Sequence, residues 1–284
     1  AARGTIGSVG TAPRNPAPRP RRRPPLIITH IGGPTALIEL DGWRLLTDPT
    51  FDPPGQRYRF GWGASSVKLT GPAVAVDDLP PIDAVLLTHD HHGDNLDVAG
   101  RALLARARIV LTTVRGARRL GLRCARGLAP GDVTRLAAPG KPDLAVTATP
   151  ARHGPPLSRP IVGDVVGFAV HRPDQRTVLL WVTGDTVLYR RLRRVVIDMD
   201  VDVMLVHVGG VRFPISGPVR YTMTGPAAVE LVATVRPRVA VPVHYEGWSH
   251  FVDGRPAVER TLAAAPDDVR RRVRWLPIGE PQTV

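Results

Sequence analysis

The sequence predicts an α/β fold, specifically a four-layer αββα sandwich, and three observations lead there. Short β-rich runs bounded by turn residues recur along most of the chain. Amphipathic helical segments follow and interleave with these runs in both halves. The 284 residues, 43% of them apolar, suffice for a sizeable core. Strands that both precede and alternate with helices favour two mixed sheets packed face to face, with helices outside, over one doubly wound sheet.

Residues 1 to 24 carry Pro, Arg, Gly and small residues with no apolar period. That composition predicts a disordered or surface-draped basic tail ahead of a single domain over residues 25–284. Strands are expected at 26–31, 35–40, 43–47, 84–88, 108–112 and 144–148, then at 165–170, 177–182, 203–208 and 239–243. Helices are expected at 96–106, 114–120, 226–235 and 257–264, where apolar positions recur three and four apart. The third has a start signal, because Thr224 can cap it and Pro226 suits its first turn. Between the strands lies a long stretch, 51–81, with several Gly and Pro and the aromatics Phe51, Tyr58, Phe60 and Trp62. It reads either as a substrate-facing flap or as an excursion whose aromatics plug the domain's own surface.

Composition narrows the function classes. A net charge of +13 raises a polyanionic partner such as nucleic acid. Lys68 and Lys141 are the only lysines, however, and the arginines are dispersed along the chain instead of lining one helical face. A generally basic surface is the expectation. Cys124 is the only cysteine, which excludes an intrachain disulfide and a Cys-based zinc site and fits a reducing, cytoplasmic setting. No apolar run approaches the roughly 18 residues that span a bilayer, so no transmembrane segment is expected. Arg21 and Arg22 lead into Pro24 and Pro25 and a short apolar run, not a secretory core.

The chemistry concentrates where the strand Val85-Leu86-Leu87-Thr88 runs straight into His89-Asp90-His91-His92-Gly93-Asp94-Asn95. Imidazoles and carboxylates are the donors that zinc, iron and manganese accept, and a tight turn lets sequence neighbours converge on one point. The plainer reading is a polar turn that caps the following helix through Asp94 or Asn95. Three later apolar strands also end in a potential ligand, at His153, Asp185 and His244. Taken singly each is equally a turn or cap residue. Together they recur in the order cluster, His, Asp, His.

In these stretches, and in Leu45-Leu46-Thr47-Asp48-Pro49, Thr149-Pro150-Ala151-Arg152-His153, Thr183-Gly184-Asp185-Thr186 and Val241-Pro242-Val243-His244-Tyr245, the sequence resembles the metallo-β-lactamase superfamily. The branch it is similar to includes ascorbate-6-phosphate lactonase and the N-acyl phosphatidylethanolamine-cleaving phospholipase D, and the likeness runs from about residue 26 to 277. This resemblance implies one or two divalent metal ions, zinc foremost, with manganese or iron as alternatives. The first would sit on His89, one of His91 or His92, and His153. Asp185 would bridge to a second, completed by Asp94 and His244.

The cluster departs from the family's His-x-His-x-Asp-His pattern. A one-residue insertion would keep His89, His92 and Asp94 as ligands, put Asn95 where the last histidine belongs, and leave His91 without a fixed role. An amide oxygen is a poorer ligand than imidazole, so the second site would bind more weakly or select a harder ion.

The implied mechanism is attack by a metal-bound hydroxide on an ester, lactone or phosphodiester of a small or lipid-like substrate. Asp94 or Asp185 would orient it, and His207, His250 and Tyr245 are candidates for assisting the leaving oxygen. Asp48 reads as a brace behind the histidine turn or as a turn former before Pro49. His30 and His171 read as structural. Two other functions stand beside the hydrolase: a nuclease, suggested by the charge, and a non-catalytic metal- and nucleic-acid-binding protein, suggested by Asn95 and the arginine-rich tail.

Overall fold

The computed structural model describes residues 25–284, so the expectation for the tail lies outside the described residues. In chain order the strands of the first half are β1 (Leu26–Gly32), β2 (Thr35–Leu40), β3 (Trp43–Thr47), β4 (Arg57–Gly61), β5 (Ala64–Val67), β6 (Ala84–Leu86), β7 (Ile109–Thr113) and β8 (Ala125–Leu128), with α1 (Val98–Leu103) and α2 (Val114–Leu120) flanking β7. The second half holds β9 (Val133–Leu136), β10 (Leu144–Pro150), α3 (Arg159–Val162), β11 (Val166–His171), β12 (Val178–Val182), α4 (Arg190–Val196) and β13 (Val201–His207). It closes with α5 (Gly225–Val235), β14 (Val239–Val243), α6 (Arg255–Ala263), α7 (Asp267–Arg270) and β15 (Gln282–Thr283).

Two mixed sheets form, in the orders β15-β1-β2-β3-β6-β7-β8 and β14-β13-β12-β11-β10-β9. In each, an antiparallel meander gives way to parallel strands: β3, β6, β7 and β8 in the first, β12, β13 and β14 in the second. The period-two alternation of side chains assigns the layers. Ile28, Ile38, Leu45 and Leu86 of one sheet meet Val146, Phe168, Leu180 and Val203 of the other in a single buried cluster. The neighbours that point the opposite way pack under helices: Val85, Leu87 and Val110 with Leu103 and Leu104 on one side. On the other side Trp181, Met204 and Ala240 meet Leu192, Leu231 and Val258 from α4, α5 and α6. These are the four layers the patterning predicts.

Local chemistry sets the helix starts. Asp97 accepts from Gly100 N at 2.8 Å, so α1 begins one residue after it and not at 96. Thr113 caps α2 and Thr224 caps α5 in the same way. No apolar period announces α4, because Arg190, Arg191, Arg193 and Arg194 surround its only two buried positions, Leu192 and Val196. β8 and β9 are likewise unannounced, since their largely exposed residues lack an apolar alternation.

Within 51–81 the chain builds the hairpin β4-β5. Phe51 is buried among core side chains. Phe60 reaches over the His cluster, 5.3 Å from the His92 ring centre.

Candidate metal centre

Six strands of the two sheets deliver polar residues to one edge of the sandwich, each just past or at a carboxyl end: Asp48 after β3, His89 after β6, His153 after β10, Asp185 after β12, His207 closing β13 and His244 after β14. Crevices beyond strand carboxyl ends are where α/β sheets bind ligands. Two hydrogen bonds lock the sheets here: His244 N donates to Gly33 O at 2.7 Å and Val166 N to Thr88 O at 3.2 Å. Asp48 and His244 adopt positive φ, at 30° and 59°, a conformation non-glycine residues hold only under strong local constraint. Gly184 is required sterically, since with φ +66° a Cβ there would fall 2.8 Å from Val166 O.

His92 Nδ1 lies 3.1 Å from His89 Nε2 and 3.2 Å from His153 Nε2. The surrounding acceptors assign the tautomers. Thr88 Oγ1 donates to Asp48 Oδ2 at 3.0 Å, so it accepts from His89 Nδ1 and leaves His89 Nε2 bare. His153 Nδ1 donates to Tyr221 O at 2.8 Å, which leaves its Nε2 bare as well. Two lone pairs therefore aim at His92 Nδ1, which can carry only one proton. Burial, the largest cause, holds all three rings below the ordinary imidazole range, His153 at about 4, with neighbouring imidazoles adding to it. Neutral nitrogens facing one another so closely are the donor set of a cation: two ligands about 2.0–2.1 Å from a tetrahedral zinc stand about 3.3 Å apart.

A second group is continuous with the first. His244 Nε2 faces Asp185 Oδ2 at 3.3 Å and Asp94 Oδ2 at 3.4 Å, while its Nδ1 lies 3.2 Å from Val208 O. The ligand atoms of Asp94, Asp185 and His244 lie within 4.8 Å of one another, as do those of His89, His153 and Asp185. Asp185 thus belongs to both groups, and its buried Oδ1, like His244 Nε2, has no hydrogen-bond partner. Burial works against charge on His244, yet Asp185 and Asp94 push it up to about 9. Burial raises Asp185 to about 6, with Asp94 adding like charge. Burial works to raise Asp94 too, but His244 and His250 outweigh it and hold that carboxyl well below its usual range. The pocket favours positive charge between these carboxylates, which a divalent cation satisfies. The residues present fit such an ion.

Asn95 is fully buried. In the amide orientation that satisfies its neighbours, its nitrogen donates to Asp185 Oδ2 at 3.2 Å and to Asp94 Oδ1 at 3.3 Å. It ties the two carboxylates together and does not offer its oxygen as a ligand, contrary to expectation. His250 lies closer to the cluster than its place in the sequence suggests: Nε2 is 2.8 Å from Asp94 Oδ2 and Nδ1 is hydrogen-bonded to Ser66 Oγ. No strand-end motif precedes it, so only tertiary contact reveals its place.

The remaining candidates separate by position. His91 is within reach of His89 and His92, but its Nε2 is hydrogen-bonded to Val162 O, and a Cβ at Gly163 would collide with its ring. His207 is fully buried beneath the cluster, with Nε2 3.3 Å from Asp48 Oδ2 and Nδ1 3.4 Å from Thr183 Oγ1. Burial takes it down to about 3. Tyr245 packs edge-on against Trp275 in the outer core and is withdrawn as a proton donor. His30 Nε2 faces Gly33 O at 3.0 Å, and His171 sits at a strand end against Thr147 Oγ1.

Asp48 is the brace the sequence suggested. It accepts from Thr88 N at 2.6 Å as well as from the Thr88 hydroxyl. Burial raises it to about 7 against the pull of those bonds.

The family model described as "Beta-lactamase superfamily domain" matches residues 43–245, a span that includes all six strand ends that deliver the site residues. The chain belongs to this superfamily. It is a metal-dependent hydrolase of the metallo-β-lactamase type. Among curated relatives, a UPF0173 metal-dependent hydrolase of Caldivirga maquilingensis is 26% identical over 73% of this chain and 77% of its own length. The N-acyl-phosphatidylethanolamine-hydrolyzing phospholipase D 1 of Caenorhabditis elegans is 33% identical, but only over 25% of this chain and 19% of that protein. Of solved structures, a possible metal-dependent hydrolase from Veillonella parvula shares the superfamily fold with a TM-score of 0.75 at 19% identity, covering 91% of this chain and 99% of that one. Among the described residues no helix is long and apolar enough to cross a membrane.

Proposed function

We propose that this superfamily member hydrolyses an ester, lactone or phosphodiester bond of a small or lipid-like molecule, and that His89, His92 and His153 would hold one ion, Asp94 and His244 a second, with Asp185 shared by both groups. Zinc suits three imidazoles and a carboxylate best. The observation that carries the reading is the convergence of His89 Nε2 and His153 Nε2 on His92 Nδ1.

When bound, the ions supply a water acidified to about neutral pH and a Lewis acid for the oxygen under attack. The protein does the rest. Asp185 Oδ1, buried and without a partner, is the site for the proton released as water adds to the carbonyl carbon. The carbon–oxygen bond to the leaving group then breaks, and the leaving alkoxide takes that same proton from Asp185, which regains its charge. Asp94 is held by His250 and Asn95 and acts as a fixed ligand. His207 positions Asp48, which in turn holds Thr88 and the His89 ring, so His207 acts through others and does not itself transfer a proton.

Hydrolysis of p-nitrophenyl acetate and of a γ-lactone is expected from the purified protein. It should be abolished by a chelator and restored by zinc, manganese or iron, with metal content measured at each step. Activity that survives complete metal removal would exclude the reading. Replacing Asp48 by Ala, which frees the Thr88 turn, is expected to weaken metal affinity by about 10–100-fold, the range for groups that orient metal-bound imidazoles. Metal titration of the stripped variant measures this, and an affinity within twofold of the native chain would reduce Asp48 to a turn former.

A further inference from the structure

Two of the proposed ligands, His92 and His153, line a hollow whose walls differ in character from the rest of this basic molecule. A cavity of about 270 Å³ is bounded by His92 and His153 at one end and by Phe60, Trp62, Val162 and Phe213 along its walls, with Ile215 and Tyr221 beside them. No Lys, Arg, Asp or Glu lines it. Around it stand three large apolar side chains left open to solvent: Trp62 at 77%, Ile215 at 67% and Ile161 at 46% exposure. They come from the β4-β5 turn, the segment after β13 and α3, so three distant segments bring exposed apolar surface to one place. Single exposed apolar residues need no explanation, but a convergent set at a concave site marks ligand contact.

We infer that the substrate is a small uncharged ester or lactone with an apolar chain, which lies in this cavity with its carbonyl against His92 and His153. The inference rests on the hydrolase reading above and narrows it against phosphodiesters and nucleic acids. Charge complementarity carries it. A phosphate ester calls for guanidinium, ammonium or a ring of backbone N–H groups, and among the described residues no Lys or Arg lines the cavity. Size agrees, since the volume lies just below the roughly 300 Å³ at which pockets for drug-sized ligands begin. A diacyl lipid or a polynucleotide is too large for it.

A larger hollow of about 380 Å³ also touches His153 and carries Arg152, Arg159 and Arg191. It does not reach His92, its Arg159 pairs with Asp164, and its Arg152 lies over the Tyr189 ring.

The test compares p-nitrophenyl esters from acetate to octanoate with bis(p-nitrophenyl) phosphate on the metal-loaded enzyme. Expected is a rise in kcat/KM of about fourfold per methylene until the cavity is filled, and a phosphodiester rate at least a hundredfold below the best ester. In Trp62→Ala combined with Ile215→Ala, the preference for hexanoate over acetate should fall about tenfold, with metal content and thermal midpoint recorded to show an intact centre. Binding gives a reading independent of turnover: an alkyl phenyl ketone, uncharged and resistant to hydrolysis, should shift tryptophan emission to the blue in the native chain but not in Trp62→Ala.

A flat chain-length profile, a phosphodiester rate above the esters, or ketone binding unaffected by Trp62→Ala would overturn the inference. So would sedimentation of the protein with phosphatidylglycerol vesicles that is lost in the double variant, because it would assign the exposed rim to a bilayer. If no ester or lactone is turned over at all, the hydrolase reading fails, while ketone binding still decides whether the cavity takes a neutral apolar guest.

Discussion

His92→Ala is expected to empty the first metal position and to lower ester hydrolysis by more than about 100-fold. The magnitude follows from position. Groups that merely orient a metal-bound imidazole cost about 10–100-fold when removed, and His92 offers its own nitrogen to the ion, within 3.1 and 3.2 Å of its two partners. Alanine in its place would leave His89 Nε2 and His153 Nε2 with no third donor. The neighbouring His91→Ala is the informative comparison. Its ring is committed to the Val162 carbonyl and packs against Gly163, so this variant should retain its metal and most of its activity. Metal analysis of the two proteins side by side decides the matter. Loss of metal from the His91 variant with retention in the His92 variant would reverse the assignment.

The largest expected effect on stability comes from Lys68→Met. Lys68 Nζ sits 2.8 Å from Asp97 Oδ2, with both side chains almost completely buried. The same carboxylate accepts from Gly100 N, where it caps α1, and from Asp52 N at 2.7 Å. Removing the ammonium leaves a buried negative charge with only backbone partners, a situation that costs about 3–5 kcal/mol. At about 2–4 °C per kcal/mol for a domain near this size, the melting temperature should fall by roughly 10 °C. Combining Lys68→Met with Asp97→Asn should recover part of the loss, because the stranded charge is gone. A melting temperature within about 2 °C of the native value for the single variant would show that Asp97 does not depend on Lys68. Lys68 also lies at the end of the hairpin stretch, so this pair fastens the Phe60 side of the cavity to the first turn of α1.

Much of the architecture was legible because it rests on local patterns. A strand buried on both faces, such as Val178–Val182, is written as an unbroken apolar run, and a helix such as Gly225–Val235 declares itself by a capping Thr, an early Pro and a three-to-four apolar spacing. Strand ends that abruptly turn polar marked His89, His153, Asp185 and His244, since an apolar strand has no local use for them. What escaped was whatever depended on a partner far along the chain. α4 is stabilised by two side chains in a basic surround and carries no pattern of its own, and His250, offered by the sequence only as an aid to the leaving oxygen, instead holds Asp94.

The histidine cluster marks the boundary. Its sequence specified the chemistry, imidazoles and carboxylates at the end of a buried strand, because residue type and burial pattern are properties of the chain itself. It could not specify which of His91 and His92 turns toward His153, or that Asn95 would donate to two carboxylates, because those depend on the path of a turn fixed by contacts with Val162, His153 and Asp185. The pocket's neutrality was likewise out of reach, since net charge is a sum over the chain while the field at a site depends on where a few side chains point. Only folding, which sets half-buried Phe60 against buried Phe213 beside the His cluster and keeps every described arginine out of the cavity lining, decided it.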